Sequence, residues 1–135
     1  VKGKANIALV AFTADGDVFG GFYNVAVTEQ NNAFHDPNMF VFSFESHGRC
    51  KTPQRFVVKE DARNYKFVGF YKNHSDGLFV NVGGIYGCFN LGNEKSDSFC
   101  SDLFSGFVGI ENDTLTGNTI PKKFTCTHIV AVHLQ

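Results

Sequence analysis

The sequence predicts a mainly β domain, a sandwich of two antiparallel sheets with a few short helices, and three observations carry that prediction. The apolar residues are skewed toward side chains that suit a pleated surface: 16 Phe, 14 Val and 5 Ile stand against 6 Leu and 8 Ala. Branched and aromatic residues favour strands, whereas Ala and Leu favour helices. Turn-forming pairs recur along the chain at Asp15-Gly16, His47-Gly48, Asp76-Gly77 and Leu91-Gly92-Asn93. Between them the apolar residues alternate with period two, the spacing of a strand with one buried face.

The elements follow in order. Ile7 to Phe12 is apolar at both parities, which reads as a strand covered on both faces. Asp15-Gly16-Asp17 joins it as a hairpin to Val18–Tyr23. The next strand carries Phe40, Phe42 and Phe44 on one face and Val41, Ser43 and Glu45 on the other. The Phe face is expected to be the core face, so Phe42→Ala is expected to cost about 3–5 kcal/mol. A second hairpin links Tyr65–Tyr71 to Leu78–Val82 through a turn at Asn73–Gly77. After a bend at Gly83-Gly84 comes a strand over Ile85–Leu91. Thr28–Asn38 and Asn93–Pro121 read as long loops, the second with a helical turn near Ser98–Phe104. In the last strand Phe124, Cys126, His128, Val130, Val132 and Leu134 share one parity.

Length and charge bound the function. The 135 residues suit one domain, spanning 1–135. Twelve basic residues meet thirteen acidic ones, so no excess charge or basic stripe points to nucleic acid. The longest apolar run is far below the ~20 residues that cross a bilayer as a helix, and no membrane insertion is expected. Four cysteines, Cys50, Cys88, Cys100 and Cys126, are sparse for a disulfide scaffold. They read as free thiols in a cytoplasmic protein, although Asn73-His74-Ser75 and Asn112-Asp113-Thr114 have the form of glycosylation sequons.

Three ordered segments resemble the TLDc domain. They are Asp15-Gly16-Asp17-Val18-Phe19-Gly20-Gly21-Phe22, Phe40-Val41-Phe42-Ser43-Phe44, and Val82-Gly83-Gly84-Ile85-Tyr86-Gly87-Cys88-Phe89-Asn90-Leu91. The stretch around Ser98-Phe99-Cys100-Ser101-Asp102 is similar to a divergent branch of protozoan type. The likeness covers Ile7 to Leu134, the C-terminal portion of such a domain. It implies a two-sheet sandwich preceded by a helical segment that would cover the second face of Ile7–Phe12; without it, an apolar patch and self-association are expected. Phe19, Gly20, Gly21, Phe22, Gly83, Gly84 and Gly87 are its structural motif residues. It implies no catalytic centre and no cofactor. It implies a protein-interaction domain linked to oxidative-stress protection or to a subunit of the vacuolar proton-pumping ATPase. The chain departs from the family's usual pattern in ending Ala131-Val132-His133-Leu134 without a Trp.

The residues themselves offer little chemistry. His47, Cys50, Cys126 and His128 could in principle ligate zinc, but neither pair has finger spacing, and parity places Cys126 and His128 in or near the core. Cys100, with Asp102 beside it in a polar loop, is the candidate reactive thiol. Gly20-Gly21 and Gly83-Gly84 lack the strand-to-helix setting of phosphate loops and read as sites of close packing between sheets. Phe34, Phe104 and Phe107 fall in polar loops, where they either tuck under their loops or form a contact surface. A carbohydrate- or ligand-binding sandwich and a thiol-dependent antioxidant are the alternatives to an interaction domain.

Overall fold

The computed structural model describes residues 2–71, 78–92 and 98–134, the side chains of 78 and 79 excepted. It contains two five-stranded antiparallel sheets. The first runs β10 (Cys126–His133), β1 (Ile7–Thr13), β2 (Val18–Tyr23), β4 (Phe40–Glu45) and β5 (Gln54–Val57). The second runs β3 (Asn32–His35), β6 (Phe67–Phe70), β7 (Leu78–Val82), β8 (Cys88–Gly92) and β9 (Phe99–Ser101). A 3-10 turn at Glu60–Tyr65 and a single helical turn, α1 at Leu103–Gly106, complete the elements. Among the described residues no helix is long and apolar enough to cross a membrane.

The β1–β2 hairpin forms with Ile7 opposite Tyr23 and Phe12 opposite Val18. This register sends Ile7, Leu9, Ala11, Phe19 and Tyr23 to the core. Across the interface Val68, Val80, Val82, Phe89 and Leu91 face them from the second sheet. Phe19 meets Phe89 and Phe124 edge-on at 5.1 and 5.7 Å. At Gly21 a side chain would stand 2.8 Å from Val82 Cγ1, so its bareness lets the sheets close. Gly20 answers a different need. A Cβ there would strike the Leu9 carbonyl and the Phe42 ring, on the opposite side of the sheet.

Several expectations change. On β4 the core-facing residues are Val41 and Ser43, while Phe40, Phe42 and Phe44 line the outer face. The alternation is legible, but parity separates the two faces without saying which of them meets the second sheet. β1 is shut off only on its inner side; Ala8, Val10 and Phe12 on the other are half-buried. β10 contains a register shift opposite Phe12 and Thr13. His128 therefore pairs with Phe12 on the outer side, and Cys126 pairs with Thr13 on the inner side. The shared parity of these two residues is broken by one bulged residue. The loop at Thr28–Asn38 holds β3, the loop at Asn93–Pro121 holds β9 and α1, and β8 begins at Cys88 rather than Ile85. β6 and β7 pair antiparallel as expected. Their turn at Asn73–Gly77 and the sequon at Asn73 lie outside the described residues.

Candidate interaction surface

The outer face of the first sheet is built by the strands already named. Phe22 on β2 stacks on Phe40 of β4 at 5.1 Å, and Phe40, Phe42 and Phe44 follow one another along β4 at 6.4 and 4.8 Å. Phe42 is only 7 % exposed because Phe40 and Phe44 flank it and Gly20 leaves room beneath its ring. Phe44 is 55 % exposed. From the other side Ala8, Val10, Val132 and Leu134 complete a groove of about 470 Å³. Among the described residues its one charged lining residue is Arg55, whose guanidinium lies 5.2 Å over the Phe40 ring. An outer sheet face of an isolated sandwich is normally polar. A continuous apolar one marks a contact site.

A second concavity opens between the sheets beside β10. It has a volume of about 290 Å³ and an apolar wall of Leu9, Val27, Phe70, Val80, Ile129 and Ala131. Lys2, Glu29, Gln30 and Tyr71 stand around it.

Two buried charges brace the loops around these surfaces. Asp17 in the β1–β2 turn receives Arg49 Nη2 at 2.6 Å and His47 Nδ1 at 2.8 Å. Arg49 also donates to the Thr114 carbonyl at 2.9 Å and the Leu115 carbonyl at 3.3 Å. One guanidinium thus joins the β1–β2 turn, the β4–β5 turn and the segment before β10. An acid holding an imidazole is the orienting half of a nucleophilic site. The hydroxyl nearest in sequence is, however, engaged by backbone: Ser46 accepts from Cys50 N–H at 2.6 Å and donates to the Cys50 carbonyl at 3.3 Å.

Lys66 is fully buried, and its ammonium points at the carbonyls of Gly83, Ile85, Tyr86 and Gly87 at 2.8–3.0 Å. Positive φ at Gly83, Gly84, Tyr86 and Gly87 turns this loop around the cation. Gly84 in addition presses on the Tyr65 carbonyl, where a Cβ would stand 2.7 Å away. The Gly-Gly and Gly residues therefore build a carbonyl cage, not a sheet-to-sheet contact. Burial lowers the ammonium to about 8, opposed by the thiol of Cys88 and the carboxylate of Asp102, so it stays protonated at neutral pH.

Cys100 is not in a polar loop. It sits on β9 with its side chain 1 % exposed, and burial pushes the thiol up to about 12. Reactivity requires exposure and a thiolate, and this position supplies neither. Asp102 is exposed and begins α1 instead. The four thiols are unpaired. Among the described residues no three His, Cys, Asp or Glu side chains gather at metal-binding distance. Of the three loop aromatics, Phe107 is fully buried and Phe34 packs against the core, while Phe104 is exposed beneath the Lys59 ammonium at 4.2 Å.

No family model and no curated protein matches this chain. The surface must therefore be read from its own geometry. The structural motif residues separate accordingly. Phe19 and Gly21 serve the core, Gly20 and Phe22 serve the outer face, and Gly83, Gly84 and Gly87 serve the cage. The bracing roles of Asp17, Arg49 and Lys66 leave no mark on composition or spacing, because each acts on groups distant along the chain. A buried lysine in particular has no sequence signature distinct from an exposed one.

Proposed function

We propose that the chain is a non-enzymatic interaction domain of the TLDc type, and that the outer face of its first sheet receives an amphipathic segment of a protein partner. The observation that supports this reading is the uninterrupted apolar face of Phe22, Phe40, Phe42, Phe44, Val132 and Leu134. Its one charged lining residue, Arg55, favours a segment that brings a carboxylate to that side. Apolar grooves of this kind take helical segments that insert side chains from one face. The resemblance supplies the partner class, a subunit of the vacuolar proton-pumping ATPase, and the setting of oxidative-stress protection.

The test is binding of purified proton-pump subunits to the protein, to Phe44→Asp and to Arg55→Glu. Binding by the parent protein, with loss in Phe44→Asp and weakening in Arg55→Glu at unchanged melting temperature, is the expected result. Equal binding by all three would remove the face from the reading. Absence of binding by the parent protein would remove the partner.

One observation favours a second reading, a ligand-binding sandwich. The concavity beside β10 approaches the lower end of the ~300–1,000 Å³ usual for small-molecule sites and is walled by six apolar residues. An environment-sensitive apolar dye that brightens with the parent protein and not with Ala131→Phe would support it. A dye response indifferent to that substitution would count against it.

A further inference from the structure

Each sheet of a sandwich has two edges, and each edge presents unpaired backbone donors and acceptors unless something is done about it. Three of the four edges here are managed. β5 is four residues long and contains Arg55. Its end is tied to the end of α1 and the residues after it through a bridge of Val58 with Phe107, Val108 N–H on the Val57 carbonyl, and Lys59 N–H on the Gly106 carbonyl. β9 is covered by the segment that follows it: Ile120 N–H and the Thr119 hydroxyl reach the Cys100 carbonyl, and Ser98 bridges Phe124. β3 is only four residues, bounded by Asn32 and His35.

β10 has none of these protections. It is the longest strand, eight residues, and its one hydrogen-bonded neighbour is β1. Every residue from Thr127 to Leu134 is exposed. From Phe124 to Gln135 the sequence contains no Lys, Arg, Asp, Glu or Pro, the residues that normally blunt an edge. The bulge opposite Phe12 and Thr13 affects its first turn of pairing only.

The ladder fixes which groups are free. Leu134 N–H donates to the Asn6 carbonyl, and Ala14 N–H donates to the Thr125 carbonyl, while Thr13 N–H serves the β2 side. Even-numbered residues of β1 therefore face β10, and by the register Ala8 with Val132 and Val10 with Val130 are the hydrogen-bonded pairs. It follows that the N–H and C=O groups of Ile129, Ala131 and His133 point away from β1, and among the described residues no strand receives them.

We propose that β10 pairs antiparallel with β10 of a second copy, joining two first sheets into one of ten strands. A twofold axis at Ala131 puts the smallest side chain of the strand opposite itself. It matches Ile129 with His133 of the second copy as hydrogen-bonded pairs, and Val130 with Val132 of the second copy on the outer face. Only Ala131 stands opposite itself under this axis, so a Lys or Glu there would meet like charge across the seam. A small uncharged residue at that position, in a stretch from Thr125 to Gln135 without Lys, Arg, Asp or Glu, suits a symmetric partner. The proposal does not depend on the TLDc reading.

The experiment is sedimentation of the whole chain over a concentration series, together with residue-resolved hydrogen exchange. The apparent mass is expected to double with concentration. Ala131→Pro removes an outward N–H and leaves the β1 ladder intact, so it is expected to fold and remain monomeric. Val130→Pro removes a ladder bond to β1 and is expected to destabilise the protein. In the parent protein the amides of Ile129, Ala131 and His133 are expected to slow with rising concentration, a reading that stands even should Ala131→Pro fail to fold. A monomer at every concentration overturns the proposal. So does a dimer that persists in Ala131→Pro, or one in which these three amides stay fast.

Discussion

On the inward side of the first sheet Phe19 lies fully buried between Phe89 and Phe124. On the outward side, on the neighbouring strand, Phe42 is shielded mainly by its own neighbours Phe40 and Phe44. Both faces are aromatic, and only the inner one meets a second sheet. The difference separates two uses of the same residue type. Inside, Phe fills volume against residues far along the chain and contributes to stability. Outside, it forms a row along one strand that leaves apolar surface in contact with water. Stability and recognition should therefore respond to different substitutions.

The largest effect is expected from Phe19→Ala. Emptying a closed aromatic site costs about 3–5 kcal/mol, read as the loss in unfolding free energy in urea. A loss below about 1 kcal/mol would mean that the inner face tolerates cavities and that the two faces do not differ in kind.

Next in size is a pH effect on the inner side. The Cys100 thiol rises from an ordinary value of 9.0 to about 12 on folding because it is buried. The native state then holds a proton that the unfolded chain releases. Stability from this group is complete below pH 9 and falls as pH climbs toward 12, by roughly 3–4 kcal/mol over the window. Lys66 acts with the opposite sign: its lowered value means that stability rises from about pH 8 toward the lysine value of 10.5. The contribution of Cys100 is isolated by subtracting the pH profile of Cys100→Ala. An unchanged slope above pH 9 in that variant would show that the thiol is not closed off.

How much of this was legible in the sequence follows from the same contrast. Alternation locates β4, β7 and β10, because period two is a local property; an unbroken apolar run locates β1, and the Asp15-Gly16-Asp17 turn locates β2. It could not rank the faces of β4. Val41 and Ser43 won the inside because Gly21 next to them lets the second sheet approach, and Ser43 gives no apolar signal. β3 and β9 carry no strand signal of their own, because four- and three-residue strands of mixed polarity are held by their neighbours rather than by their own pattern. The bulge that turns Cys126 and His128 to opposite sides is a single inserted residue with no Gly to announce it. The glycines of the Gly83–Gly87 loop were recognised as structural, but the ammonium they enclose comes from Lys66, seventeen residues before Gly83. Cys100 reads as loop for a related reason: β9 is only three residues long, and polar Ser98, Ser101 and Asp102 surround a thiol that faces in.

A smaller effect is expected from Phe42→Ala. Its ring is almost closed off, yet the cover is the rings of Phe40 and Phe44 on the same sheet rather than a second layer. Those neighbours can settle into the space, so the cost should fall to about 2 kcal/mol, below the range for a closed site. Urea unfolding beside Phe19→Ala decides it. Equal losses would erase the distinction between the faces and return Phe42 to the core role that alternation alone assigns it.

The smallest effect on stability is expected from Phe44→Asp, and it is the sharpest test of the comparison. Phe44 is more than half exposed at the end of the Phe row. Its main contact is the ring of Phe42 at 4.8 Å. Replacing it forfeits part of one aromatic pair, worth about 0.5–1.5 kcal/mol when fully formed, and an exposed carboxylate needs no burial. The unfolding free energy should therefore change by about 0.5 kcal/mol. Binding should change far more, because a partner seated on the groove would have to desolvate the new charge without a cation designed to meet it. A substitution that leaves stability intact and removes partner binding would assign the outer face to recognition. A loss of stability comparable to Phe42→Ala, with binding retained, would mean that the row is a structural cluster and that the recognition surface lies elsewhere.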